Sequence, residues 1–148
     1  MASISSAPPR SASARETTYR VLCAVVGTLF TVGGLAFLFA FLRYQAPGGT
    51  GFFGLGPGGH YFVAFAGSAL VGWGGCLLGA VRHPASSRGI GTATAAGLVL
   101  SACYRMIAWV VGDYAALGSV LLVEAALFLL LALAFVWLRP AAPMRGDA

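Results

Sequence analysis

From Val21 to Leu42 the chain runs without a single charged side chain, and three later stretches come close to repeating the pattern. A helix needs about 20 predominantly apolar residues to cross ~30 Å of hydrocarbon, so these runs constrain the fold more than any other feature. The second run is Tyr61 to Val81. The third, Gly89 to Gly112, is interrupted only by Arg105, and the fourth, Ala115 to Leu138, only by Glu124. The apolar region of a signal peptide covers only about 7–15 residues, so the first run is read as a retained helix. Hydrocarbon offers no water to open backbone groups, and each run must close its hydrogen bonds within a helix. The prediction is an all-α, four-helix transmembrane bundle with helices over about 20–42, 61–82, 89–112 and 115–138. Residues 19–139 form the four-span membrane domain. Residues 1–18, rich in Ser, Ala and Pro, read as a disordered cytoplasmic tail, and 140–148 as a second cytoplasmic tail.

Composition supports that class. The 148 residues are 59% hydrophobic and 9% charged, against about 25% charged in a soluble domain. The net charge of +5 would suit nucleic acid only if clustered on one face. Here the arginines stand singly at helix ends, and nucleic acid is excluded as a partner. All nine basic residues are arginines, which a coding bias explains as well as any mechanism. Cys23, Cys76 and Cys103 lie inside apolar runs with no C-x-x-C and no His pair, so neither zinc nor redox chemistry is signalled. They read as small buried hydrophobes. No metal or cofactor is expected.

Orientation follows from the arginines, because cytoplasmic loops carry an excess of basic residues. Arg10, Arg15 and Arg20 precede the first run, Arg82 and Arg88 flank the second loop, and Arg139 and Arg145 follow the last run. Four crossings put all of these on one side and leave Arg43 alone on the other. Both termini are therefore expected in the cytoplasm, in a bacterial inner membrane. The first loop, "RYQAPGGTGFFGLGPGGH", then faces outward. It lacks the Lys and Ser/Thr that a phosphate-binding loop needs and reads as a flexible connection, with Tyr44 and Tyr61 at the interface. The short "GDYAA" turn forces the last two helices into an antiparallel hairpin, with Asp113 placed to cap the final helix.

That hairpin frames the best constellation in the sequence. Counted from the turn at about 1.5 Å per residue, Arg105 and Glu124 both lie ~10–12 Å below the outer surface, on neighbouring helices. An unpaired charge at the bilayer centre costs at least roughly 2.5–3.5 kcal/mol, and arginine cannot shed its proton. Snorkelling outward would work against the lean of helical side chains toward their own N-terminus. A carboxylate beside the guanidinium is the simplest remedy, so each charge is there because of the other. The pair either fixes the hairpin or lines a cavity for a small anion, a proton or a quinone-like ligand. Ser101, Tyr104 and Tyr114 are the candidate lining residues. Gly89, Ala93, Gly97 and Ser101, at steps of four, offer a small-residue ridge for close helix approach. Leu117, Leu121, Phe128 and Leu131 supply bulk near Glu124. Gly75 and Gly79 form a second small pair, beside Gly67 and Gly72. His60 and His83 sit at the edges of spans on opposite sides and read as interfacial polar residues.

Four short spans, a terminal tight hairpin, Arg105 late in the third span and Glu124 early in the fourth, with "VGDYAALGSVLLVE" leading to it, resemble the DoxX-like small membrane proteins. The resemblance covers roughly residues 19–139. It implies a four-helix bundle acting as an accessory partner of a membrane redox enzyme, and transfers no catalytic residue. No nucleophile–base pair, carboxylate dyad or metal cluster appears in the sequence. The expected function is a small multi-pass integral membrane protein that binds a partner or a small ligand without catalysis. The alternative is a small transporter or channel using the Arg105/Glu124 site. Expected partners are the lipid bilayer and either another membrane protein or a small hydrophobic ligand; self-association stays open.

Overall fold

The computed structural model describes residues 10–47, 49, 56–112 and 118–140. They form four helices: α1 (Arg10–Gln45), α2 (Pro57–Arg82), α3 (Arg88–Val111) and α4 (Val120–Leu138). Each is long and apolar enough to cross a membrane. Their outward faces carry large apolar side chains: Phe39 is 65% exposed, Phe65 68%, Val110 74% and Trp137 72%. Water would not tolerate so much bare hydrocarbon on a monomer; lipid does.

Three element boundaries depart from the sequence reading. α1 starts at Arg10, so residues 10–18 are helical and do not belong to a disordered tail. Two local bonds lie within the turns from Ala14 to Arg20. Arg20 donates to Glu16 at 2.6 Å one turn earlier, and Thr18 Oγ1 donates to the carbonyl of Ala14 at 3.0 Å. α2 starts at Pro57, a residue whose fixed φ and missing N–H suit the first helical position. α4 starts only at Val120, with Ser119 at its N-cap position. Asp113, expected to cap that helix, lies outside the described residues. α3 ends on Gly112, whose φ of 80° is left-handed, a conformation glycine adopts without steric cost.

The chain divides into two compact units, one of residues 21–82 and one of residues 1–20 with 83–148. In the first, α1 and α2 approach through glycine. A methyl group on Gly34 would come within 2.5 Å of the Gly67 carbonyl oxygen, and one on Gly27 within 3.0 Å of that of Gly74. The two crossings are seven residues apart on both helices, two turns of an antiparallel seam. The expected pair Gly75 and Gly79 is not part of it: a methyl on either meets nothing within 4 Å. Gly74, one position before Gly75, and Gly67 hold the face that packs. His60, expected as an interfacial residue, is fully buried. Its ring stacks on Tyr44 at 3.7 Å, and its Nδ1 lies 3.1 Å from the Gly56 carbonyl oxygen.

In the second unit α3 packs along α4. The buried face of α3 is Gly91, Thr94, Ala95, Leu98, Ala102 and Ala108; that of α4 is Leu121, Ala125, Ala132 and Phe135. The expected ridge is displaced around the helix. Gly89, Ala93 and Gly97 are exposed, and a methyl on Gly89 or Gly97 meets nothing within 4 Å. The reason is that Thr94 and Leu98 bury more surface than the glycine stripe would, so the bulkier face turns inward. The Tyr19 hydroxyl from α1 sits where a Gly91 side chain would be, and the Tyr19 ring meets Phe135 edge-on at 6.3 Å. Arg15 donates to the carbonyl of Trp137. The start of α1, the start of α3 and the end of α4 thus share one end of this unit.

Candidate functional site

Arg105 stands on the buried stripe of α3, between Ala102 and Ala108. Glu124 stands on α4 next to Ala125 and three residues after Leu121, both buried. Packing along those stripes brings the two side chains together. Arg105 Nε donates to Glu124 Oε2 at 2.6 Å, and the two form a salt bridge. Arg105 Nη1 also donates to the Ser101 carbonyl oxygen, one turn back, at 3.4 Å. The guanidinium carbon lies 4.5 Å from the centre of the Phe128 ring, a distance at which a cation is attracted by the ring face. One guanidinium therefore meets a carboxylate, a carbonyl and an aromatic face, all from the α3–α4 hairpin.

The pair is half-buried: 27% of the Arg105 side chain and 44% of the Glu124 side chain remain exposed. It also sits nearer the helix ends than the turn count implied. Glu124 is four residues into α4, about 6 Å along the axis, and Arg105 is six residues before the end of α3, about 9 Å. The late start of α4 accounts for the difference. The site combines zero net charge with one open side at moderate depth, so it can clasp two helices and still present polar atoms outward.

The other expected members divide. Ser101 belongs to the site through its backbone carbonyl. Tyr104 is 60% exposed, on the flank of α3. Tyr114 lies outside the described residues. Phe128, read from sequence only as bulk, faces the guanidinium, and the signal was its spacing of four residues from Glu124. The arginine contacts at the opposite end of the unit had no such signal. Arg139 Nη1 donates to Thr92 Oγ1 at 3.2 Å across the α3–α4 seam. Among the described residues, no three His, Cys, Asp or Glu side chains gather as a metal site requires.

No family model matches the chain, and neither the curated proteins nor the solved structures contain a match to it.

Proposed function

We propose that this chain is a multi-pass integral protein of the cell membrane, with both termini in the cytoplasm, that works by binding a partner protein or a small hydrophobic ligand. The contact between Arg105 and Glu124 carries this reading. Two opposite charges joined across the last hairpin leave neither free to act as a lone acid, base or nucleophile, and their role is to hold α3 against α4. The one-sided distribution of arginines supports the orientation. The position of the pair in the terminal hairpin supports kinship with the DoxX-like proteins. The test is purification of the full chain in mild detergent, with identification of what co-purifies. A stoichiometric membrane partner or small molecule is expected; a bare chain with measurable turnover contradicts the proposal.

The 44% exposure of Glu124 favours one second reading, a small transporter in which that carboxylate meets the transported species. Ion flux into proteoliposomes separates the two. The binding role predicts background flux for both the wild type and Glu124→Gln, whereas a flux lost on substitution makes the protein a transporter.

A further inference from the structure

At the end of the second unit opposite the Arg105–Glu124 pair, Arg139 stands at the mouth of an apolar groove, and Arg88 and Arg15 share that end. Arg139 Nη1 donates to Thr92 Oγ1 at 3.2 Å, and Thr92 Oγ1 donates in turn to the Arg88 carbonyl oxygen at 3.1 Å. The Nε of Arg88 is buried and has no hydrogen-bond partner among the described residues. Arg15 reaches the same end through the carbonyl of Trp137, two residues before Arg139. The acid in the first turns of α1, Glu16, is engaged by Arg20 at 2.6 Å. Among the described residues, the bonds of Arg15 and Arg139 go to a carbonyl and a hydroxyl, neither of which neutralises a charge. A guanidinium has five N–H donors, and Thr92 takes one of those on Arg139.

The groove begins at Thr92 and runs between α3 and α4, with a volume of about 450 Å³. Its floor is Ala95 and Ala132, 5% and 4% exposed. Val99 on α3 and Leu129, Leu133 and Val136 on α4 form its walls. Small side chains below and larger ones beside make a shallow groove open along its length. From Thr92 to Val99 is seven residues, about 10 Å, or about two-thirds of one leaflet's ~15 Å of hydrocarbon.

Cations at the headgroup level above an apolar groove match a molecule with an anionic head and a long tail. We propose that this groove binds one anionic phospholipid, with its phosphate on Arg139 and Arg88 and one acyl chain along Ala95 and Ala132. A free phosphate would leave the groove unused, and a zwitterionic lipid would bring its own cation against the arginines. An inserted partner helix gives no reason for arginines at this end. The inference rests on the membrane setting proposed above, but not on the partner-binding role.

The full chain in mild detergent, mixed with equal amounts of phosphatidylglycerol and phosphatidylcholine of identical acyl chains, tests this by native mass spectrometry of bound lipid. Phosphatidylglycerol adducts are expected to exceed phosphatidylcholine adducts at least fivefold. Arg139→Gln should cut the phosphatidylglycerol adduct about fivefold, the usual effect of one basic residue on an anionic headgroup, and leave phosphatidylcholine unchanged. Ala96→Phe, which fills the groove from its α3 side, should lower both. Should either variant fail to fold, Arg88→Gln and Val136→Trp repeat the two arms. The proposal stands only if wild type prefers the anionic lipid and both kinds of variant lower its retention. Equal retention of the two lipids overturns it, as does sensitivity to the arginine alone, to the groove alone or to neither. A chain that does not insert into bilayers sinks the proposed function; indifference to lipid charge in an inserted chain sinks only this inference.

Discussion

Arginine has no neutral form to adopt in hydrocarbon, so the fate of Arg105 decides whether the α3–α4 hairpin is stable. Its Nε meets Glu124 at 2.6 Å, and its flat face lies on Phe128. Removing either charge strands the other in lipid. Arg105→Ala and Glu124→Ala should each lower stability in bilayers by about 2–3 kcal/mol, while the double variant recovers more than half of the loss. Unfolding titrations of the four proteins in lipid measure this, and simple additivity of the two losses contradicts direct contact. This contact was legible in the sequence because the two runs are adjacent and both charges interrupt otherwise uncharged runs. The bond of Arg139 to Thr92 was not, since an arginine after a span reads only as a topology signal. At the far side of this same unit, Tyr19 sits where a side chain on Gly91 would go. Gly91→Leu should therefore displace the Tyr19 ring from Phe135 and cost about 1–3 kcal/mol, as overpacking of a filled core does. Thermal unfolding in detergent checks it; a melting point equal to that of wild type contradicts the packing of α1 on this seam.

Helices are recoverable from an apolar run, but not the face each one buries. The spans emerged within a few residues wherever uncharged length alone fixed them, as at the ends of α2 and α3. The start of α1 was missed because Ser, Ala, Arg and Glu give no apolar signal, although Arg20–Glu16 and the Arg15–Trp137 bond hold those turns. α4 starts later than its apolar run, with Ser119 at the N-cap position. Glycine spacing misled most. Gly75, Gly79, Gly89 and Gly97 carry the small-xxx-small pattern, yet a methyl on any of them meets open space. The glycines in close approach, Gly27 with Gly74 and Gly34 with Gly67, are seven apart, a period a search at four does not find. Gly34→Val and Gly67→Val should destabilise the α1–α2 unit by about 1–3 kcal/mol, because the obstacle is a backbone carbonyl that no rotamer change can move. Gly75→Ala and Gly79→Ala should stay within about 0.5 kcal/mol of wild type. Comparing denaturation midpoints of the four variants tests the seam, and equal effects at both sets of positions contradict it.

At the scale of the whole molecule, four helices are each long and apolar enough to cross a membrane, and the proposed topology has them cross an even number of times. The 19 residues of α4 span about 28 Å, just enough for ~30 Å of hydrocarbon. In the proposed topology this matching leaves little freedom to shift the hairpin in depth, and keeps Arg105 and Glu124 near one face and Arg139 near the other. The proposed topology requires that placement. It is tested by Thr50→Cys, Ser86→Cys and Ala142→Cys, each introduced singly into the full chain with the three native cysteines replaced, and labelled in intact cells with a membrane-impermeant maleimide. Labelling from outside is predicted for Thr50→Cys alone, with the other two reacting only after the membrane is opened. External labelling at position 86 or 142, or none at position 50, contradicts four crossings with both termini in the cytoplasm.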